Sequence, residues 1–330
     1  MSSTNTLIKP ILNISNSFKA NNESCKICYS PFSDTYLVKE MMFGFRDKFT
    51  YNQCSSCGCL QIAEFPQNID KYYPSYYYSF NAETATLKRQ PFIKRLIGNF
   101  RLKKLFKKDR PTLRYLKPIN VKFSDKILEV GCGKGKQICD LFNLGFENIE
   151  GVDKFIPQEI DHGFGVRIMK KDIQELTPSN YDLIIMNHVL EHMPEQQDVL
   201  KNCRKLLKDK GCLLIAIPII AEAFEIYKEN WVQLDAPRHF FLHTVKSMNI
   251  LAAETGFEIK HTLFDSISLQ FWASELYKKD MPLFPEENNR LAYPVEKFFT
   301  SAEMEDFDEK SIKLNQEGKG DTAVFYLYKS

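Results

Sequence analysis

The sequence predicts an α/β protein, a doubly wound and mostly parallel sheet preceded by a small N-terminal metal-binding module. Three observations lead there. From Asp125 onward, apolar runs of strand length alternate with amphipathic segments of helix length. The first of those runs ends in a glycine-rich turn that opens a helix. Ahead of them, cysteines fall into two Cys-x-x-Cys pairs. The 330 residues suit two domains, or one with a sizeable appendage. A hydrophobic fraction of 44% and a charged fraction of 26% exclude a disordered or collagenous chain.

The elements follow in chain order. Residues 1–24 are polar and expected to be loosely ordered. The cysteine module occupies 25–82 and ends in the tyrosine-rich stretch YYPSYYYSF, Tyr72 to Phe80. Residues 83–117 form a basic linker, in which Ile93, Leu96, Ile97 and Phe100 recur at helical spacing. The main domain is placed at 118–330. Its strands are read at Lys126–Val130, Ile149–Val152, Val166–Lys170, Tyr181–Asn187, Cys212–Ile217, Phe257–Leu263 and Thr322–Tyr328. Helices are read from the glycine turn to Leu144, from Glu195 to Leu207 and from Val245 to Thr255, with stops at Gly145, Gly211 and Gly256. Residues 265–320 are too many for a plain loop and should hold helices such as Leu269–Lys279.

With 44 basic and 42 acidic residues, the net charge of +2 argues against a whole-chain nucleic-acid or membrane-surface binder. No signal peptide is expected in the first residues. The most apolar run, Leu213 to Ala221, is too short for a membrane span and contains Pro218. Five of the nine cysteines lie between Cys25 and Cys59, a clustering that fits metal ligands in a reducing cytoplasm better than a disulfide framework.

Cys25 and Cys28 form one hook, Cys54 and Cys57 the second. Two such hooks can place four thiolates around one tetrahedral ion, and soft sulfur suits zinc. With no further polar ligand in view, the site should be closed and structural. Gly58 lets the second hook turn tightly, and Cys59 is left out of the ligand set. Disulfides or metal-free buried thiols are the other readings.

The segment LEVGCGKGK, Leu128 to Lys136, runs from strand through Gly131, Gly133 and Gly135 into helix. A dinucleotide fingerprint would need a third glycine at 136, where Lys stands. The pattern instead resembles motif I of the class I S-adenosylmethionine (SAM)-dependent methyltransferases, which implies a Rossmann-like sheet. By that resemblance Glu129 would hold the methionine ammonium of SAM, and Asp172, after the third strand, would contact the adenine amino group. Asp153 ends the second strand, where a carboxylate can accept hydrogen bonds from both ribose hydroxyls. Asn187 ends the fourth strand at the edge of the cofactor cleft.

Methyl transfer needs the acceptor aligned and often a base for its proton. The loop WVQLDAPRHFF, Trp231 to Phe241, offers Asp235, Arg238 and His239 among aromatic residues. His239 is the candidate base, with Asp235 as alternative on oxygen and His188 as second choice; a structural histidine is the competing reading. Arg238, Tyr73 and Tyr76 are candidate acceptor contacts, although most of the tyrosines are better read as burying the joint between module and main domain. Glu191 and His192 resemble the Glu-His pair that follows the fourth strand in many small-molecule methyltransferases, often with a structural role.

Together, the four-cysteine module, the tyrosine stretch, the SAM motif and the loop ending in His resemble a bacterial subgroup that includes deoxysugar C-methyltransferases and surface-polysaccharide methyltransferases. The sugar C-methyltransferases read roughly His-Glu-His-Tyr in the matching loop. Here it is Pro237-Arg238-His239-Phe240, so only His239 carries over, and the large C-terminal domain of those enzymes has no room here. The resemblance implies a sugar, nucleotide-sugar or glycan acceptor, methylated on oxygen or carbon. The basic linker could meet an anionic acceptor, such as a lipid-linked glycan at a membrane surface, or be a solvated helix. Two other readings stand beside this one. A zinc-containing RNA methyltransferase is disfavoured by the low net charge and by Asn187-His188-Val189 where an Asn-Pro-Pro motif would stand. A non-catalytic SAM-binding scaffold would bind the cofactor without turnover.

Overall fold

A computed structural model describes residues 24–77, 84–90, 98–108, 111–284, 291 and 294–330. The expectations for residues 1–23, for Tyr78 to Phe80 and for the helical spacing at Ile93, Leu96 and Ile97 lie outside them.

The central sheet is Rossmann-like. Its strands are β4 (Ile127–Val130), β5 (Ile149–Val152), β6 (Ile160–Gly163), β7 (Val166–Met169), β8 (Tyr181–Asn187), β9 (Leu207–Pro218), β11 (Phe257–Phe264) and β12 (Thr322–Lys329). Their order across the sheet is β11-β12-β9-β8-β4-β5-β7-β6. β4 pairs in parallel with both β5 and β8, and the chain moves outward from β4 in both directions. The switch point, where such sheets bind ligands, therefore lies at the carboxyl ends of β4 and β8. β12 returns antiparallel between β9 and β11. The short strand β6 pairs antiparallel with β7 and extends the sheet beyond what the sequence reading held. A four-residue half-exposed strand gives too little alternation to be seen in advance.

Period two divides the central strands between the two faces. Leu128, Val130, Ile184 and Met186 enter one buried cluster; Ile127, Leu183 and Ile185 enter the other. Helices cover both faces: α1 (Gly98–Phe106), α2 (Lys136–Leu144), α3 (Gln196–Leu206) and α4 (Val245–Glu254). α2 stops at Gly145, whose N–H reaches the Leu141 and Phe142 carbonyls. α4 is capped by Thr244 and Ser247, each side chain bonding the other's backbone N–H. The 265–320 stretch holds α5 (Leu269–Lys278), as expected, and α6 (Ser301–Gln316).

The N-terminal module is a small antiparallel sheet of β1 (Phe32–Lys39), β2 (Lys48–Cys54) and β3 (Leu60–Ile62). Its fourth strand, β10 (Phe241–Leu242), comes from the loop that follows β9. Module residues Cys25, Ile27, Tyr51 and Leu60 share one buried cluster with Leu128, Ile184 and Ile215 of the central sheet. The module is thus built into the main domain's core, and the loop carrying the candidate base is one of its strands. Among the described residues no helix is long and apolar enough to cross a membrane.

Candidate active site

The glycine turn lies between β4 and α2, with Gly131, Gly133 and Gly135 at φ of 67°, 54° and 81°. Only glycine takes these values without strain. A Cβ at Gly131 would also stand 2.6 Å from Val189, in the turn after β8. The cofactor turn and the β8 turn are thus in contact. Asp153 accepts from the Gly133 N–H at 2.8 Å and from the Phe155 N–H at 2.8 Å, so it braces the glycine turn as well as facing the crevice. Glu129 is buried, and no donor among the described residues reaches its Oε2. Burial first, then the charge of Asp153, pushes its carboxyl up to about 8. Asn187 donates to Gln137 at 3.4 Å, while its buried Oδ1 has no hydrogen-bond partner among the described residues. Asp172 caps the turn Ile173–Glu175 and pairs with Lys154 at 3.0 Å.

On the β8 side, five ionisable side chains converge: His188, Glu191, His192, Asp235 and His239. His239 places Nδ1 2.8 Å from the Gln233 carbonyl, so in the neutral ring this nitrogen carries the proton and Nε2 the lone pair. That Nε2 lies 4.0 Å from Glu191 and 3.7 Å from Asp235. His192 packs edge-on to His239, with ring centroids 4.7 Å apart. Its Nδ1 meets the Arg238 carbonyl at 2.9 Å and the Tyr73 hydroxyl at 3.3 Å. Burial, with His239 alongside, lowers His192 to about 4, so it is neutral at pH 7. His188 keeps 41% of its side chain exposed and lies 3.3 Å from Glu191. Burial opposes its charge, but Glu191 outweighs that and raises it. The structure therefore separates two candidate bases that the sequence left unranked by geometry. His188 is held towards its charged form, while His239 has its Nδ1 tied to a backbone carbonyl, which fixes the tautomer of its neutral ring.

Two expectations are corrected. Arg238, read as an acceptor contact, has no exposed surface. Its Nε reaches both Asp235 oxygens at 3.1 and 3.0 Å, Nη1 the Tyr72 carbonyl at 2.9 Å, and Nη2 Glu40 of the module at 3.0 Å. A guanidinium enclosed this way has no free donor edge for a ligand. Asp235, read as an alternative base, is the other half of that pair; burial works against its charge, yet Arg238 holds it below the usual carboxylate range. Tyr76 lies edge-on to Phe43 of the module, at 5.6 Å between centroids, and Tyr72 and Tyr77 are buried. Glu191, which sequence reasoning noted only as half of a Glu-His pair with an often structural role, is fully buried among the histidines. Its signal was the spacing His188-x-x-Glu191-His192, which brings three ionisable groups onto one tight turn.

The cysteine hooks also close on one another. Cys25 and Cys57 sulfurs are 3.6 Å apart, Cys28 and Cys54 3.3 Å, and all four lie within 4.8 Å of one another.

A family model described as "Methyltransferase domain" matches residues 88–262, more than half of the chain. The chain belongs to this methyltransferase family. It is 30% identical over 99 residues to the ubiquinone biosynthesis O-methyltransferase of Rickettsia bellii, covering 28% of this chain and 41% of that protein. A 99-residue match at 30% identity to the peramine synthetase ppzA of Metarhizium rileyi covers 25% of this chain and 3% of that protein. The chain thus spans less than half the length of these curated relatives. Similar solved structures include a SAM-dependent methyltransferase from Archaeoglobus fulgidus, at 18% identity and a TM-score of 0.41, covering 70% of this chain and 99% of that one. Another is the cyclopropane synthase MmaA2 of Mycobacterium tuberculosis, at 16% identity and 0.43, covering 66% and 82%.

The crevice of this methyltransferase fits the family's cofactor, SAM. Among the described residues, Glu129 offers a buried carboxyl with an unpartnered oxygen to a cationic group, and Asn187, at the end of the neighbouring strand β8, an unpartnered buried carbonyl. A cation at Glu129 would draw its carboxyl back to the ionised form, so cofactor binding near pH 7 should release a proton. Calorimetry in buffers of different ionisation enthalpy will read that release. Glu129→Gln should remove it and weaken SAM about 10–100-fold, the equivalent of one charge-assisted hydrogen bond. Asp153→Ala should weaken SAM at least as much, since the glycine turn loses its brace; unchanged affinity would take Asp153 out of the site.

Proposed function

We propose that the chain moves the methyl group of SAM to a small polyhydroxylated acceptor of the sugar, nucleotide-sugar or glycan class, with oxygen as the acceptor atom and His239 as the general base. The observation that carries this reading is the tautomer and placement of His239. Its Nδ1 is tied to a backbone carbonyl, and its Nε2 faces two carboxylates beside the turn that packs on Gly131. When bound, SAM supplies an electrophilic methyl on a positively charged sulfur. The protein's part is to hold the acceptor and take its hydroxyl proton on Nε2. Glu191 and Asp235 keep that nitrogen in negative surroundings, so an imidazolium formed there is stabilised. Support for a sugar-like acceptor comes from the combination of module, tyrosine stretch and His-ending loop, which resembles the sugar and polysaccharide methyltransferases. Incubation with methyl-labelled SAM, a panel of nucleotide-sugars and extracted glycans, and NMR of the product should place the methyl on a sugar oxygen. Label on a sugar carbon would replace oxygen as the acceptor atom; label entering only RNA would sink the sugar reading.

The same proposal assigns a structural zinc ion to Cys25, Cys28, Cys54 and Cys57. Tetrahedral sulfurs at about 2.3 Å from zinc stand about 3.8 Å apart, close to the 3.3 and 3.6 Å separations here. Backbone N–H groups of Ile27, Ser56 and Cys57 and the Gln61 amide, at 2.8 Å from Cys25, point at sulfur and favour thiolates. The main domain packs over this cluster through Thr244, which matches a closed structural site.

A further inference from the structure

Glu191 has no exposed surface, and its oxygens meet no well-aligned donor among the described residues; the nearest is the His188 Nδ1 at 3.3 Å. A buried carboxylate so weakly bonded is costly unless charges nearby compensate it. The compensation comes from imidazoles on two elements. His188 Nδ1, on its own turn, is 3.3 Å away and His239 Nε2, on the β9–β10 loop, is 4.0 Å away. A ring nitrogen of His192 is within 4.8 Å. The other carboxylate facing His239 is Asp235, whose charge is matched by Arg238. His188 also feels Asp321 and Asp265. Glu191 is thus the one carboxylate at His239 without a permanent cationic partner. Its backbone is separately fixed, because its carbonyl accepts from the Phe240 N–H at 2.8 Å, so side chain and main chain together bridge the β8 turn to the His239 loop.

We propose that Glu191 is a positioning residue for methyl transfer, a buried negative charge that holds His239 with Nε2 turned towards it and stabilises the imidazolium formed when that nitrogen takes the acceptor's proton. This rests on His239 as the base. The proton moves from the acceptor hydroxyl to Nε2, the oxygen keeps the electron pair for the incoming methyl, and no bond on Glu191 changes. The exposed His188 partly neutralises Glu191, so it tunes the same charge from the solvent side.

The test needs no acceptor at first. The chain has six histidines, few enough for each to be assigned in long-range proton–nitrogen spectra of full-length protein labelled with 15N-histidine. In Glu191→Gln, the pH at which His239 takes up its second proton should fall by about one unit or more. Glu191→Asp keeps the charge and should recover most of that fall. His188→Gln leaves the carboxylate less compensated and should move His239 the opposite way. An unmoved His239 midpoint in folded Glu191→Gln or, if that variant does not fold, in His188→Gln overturns the proposal. Once an acceptor is in hand, the acid limb of the rate–pH profile should follow the same order. A moved midpoint with an unmoved acid limb would instead remove His239 as the base, and the positioning role in transfer with it.

Discussion

Arg238→Met should destabilise the protein by about 3–5 kcal/mol, because it leaves two buried carboxylates facing no cation. Arg238 is enclosed on every side. Asp235 and Glu40 take its charge, the Tyr72 carbonyl takes a further N–H, and its guanidinium lies 4.9 Å from the centre of the Phe43 ring. Glu40 retains the Phe43 and Phe45 N–H groups after the substitution, whereas Asp235 keeps only imidazoles, His239 and His192, among the charges acting on it. Asp235 should therefore carry most of the penalty. Denaturant unfolding will read the loss. Arg238→Lys should recover only part of it, since one ammonium cannot fork to Asp235 while reaching Glu40 and Tyr72. Unfolding within about 1 kcal/mol of the wild type, the size of an exposed pair, would mean that these carboxylates find solvent and that the joint is not sealed.

Stripping the proposed zinc, or replacing Cys57 with Ser, should abolish methyl transfer while leaving SAM affinity nearly intact. The cysteine cluster and the catalytic loop are mechanically continuous. Thr244 donates its hydroxyl to the Cys57 carbonyl at 2.7 Å, and a Cβ at Gly58 would stand 3.0 Å from Thr244. β10 pairs with β3 through Phe241–Gln61 and Leu242–Leu60, and the Ile62 N–H reaches the Phe240 carbonyl at 3.0 Å. Tyr51 donates to the carbonyl of His239 itself at 2.8 Å. A structural zinc of this type contributes about 10–16 kcal/mol of binding free energy, so losing it should unfold the hooks and release the loop. Displacing a base by about 1 Å is enough to cost about 10²-fold in rate. The glycine turn, Glu129 and Asp153 belong to β4, β5 and the turn between β4 and α2; they share an apolar core with the module but make none of these hydrogen bonds. Elemental analysis should find one zinc per chain, and chelated protein should still bind SAM. Chelated protein that turns over at the wild-type rate would uncouple module from catalysis.

Much of the crevice was legible because its signals are local. An all-buried ILEV strand, three glycines and a helix stop at Gly145 lie within residues 127–145, and spacing alone orders them. Asp153 and Asn187 were placed by the same logic, since strand ends of an open sheet border the crevice. Glu191 was legible only as half of a Glu-His pair, because nothing local shows that it is buried. Its burial comes from Phe240 and His239, about fifty residues further on.

The sequence by itself therefore determined the hinge of the cofactor crevice and the two cysteine hooks, both set by short-range backbone geometry and fixed spacing. Only the tertiary structure decided between neighbours in the loop at 235–239. Arg238 and Asp235 turn into a sealed ionic joint with the module, and His239 turns towards Glu191. Hydropathy cannot make that choice, because all three are polar. It depends on which side chain finds a buried partner of opposite charge, and Glu40, the partner that claims Arg238, lies 198 residues away in the chain.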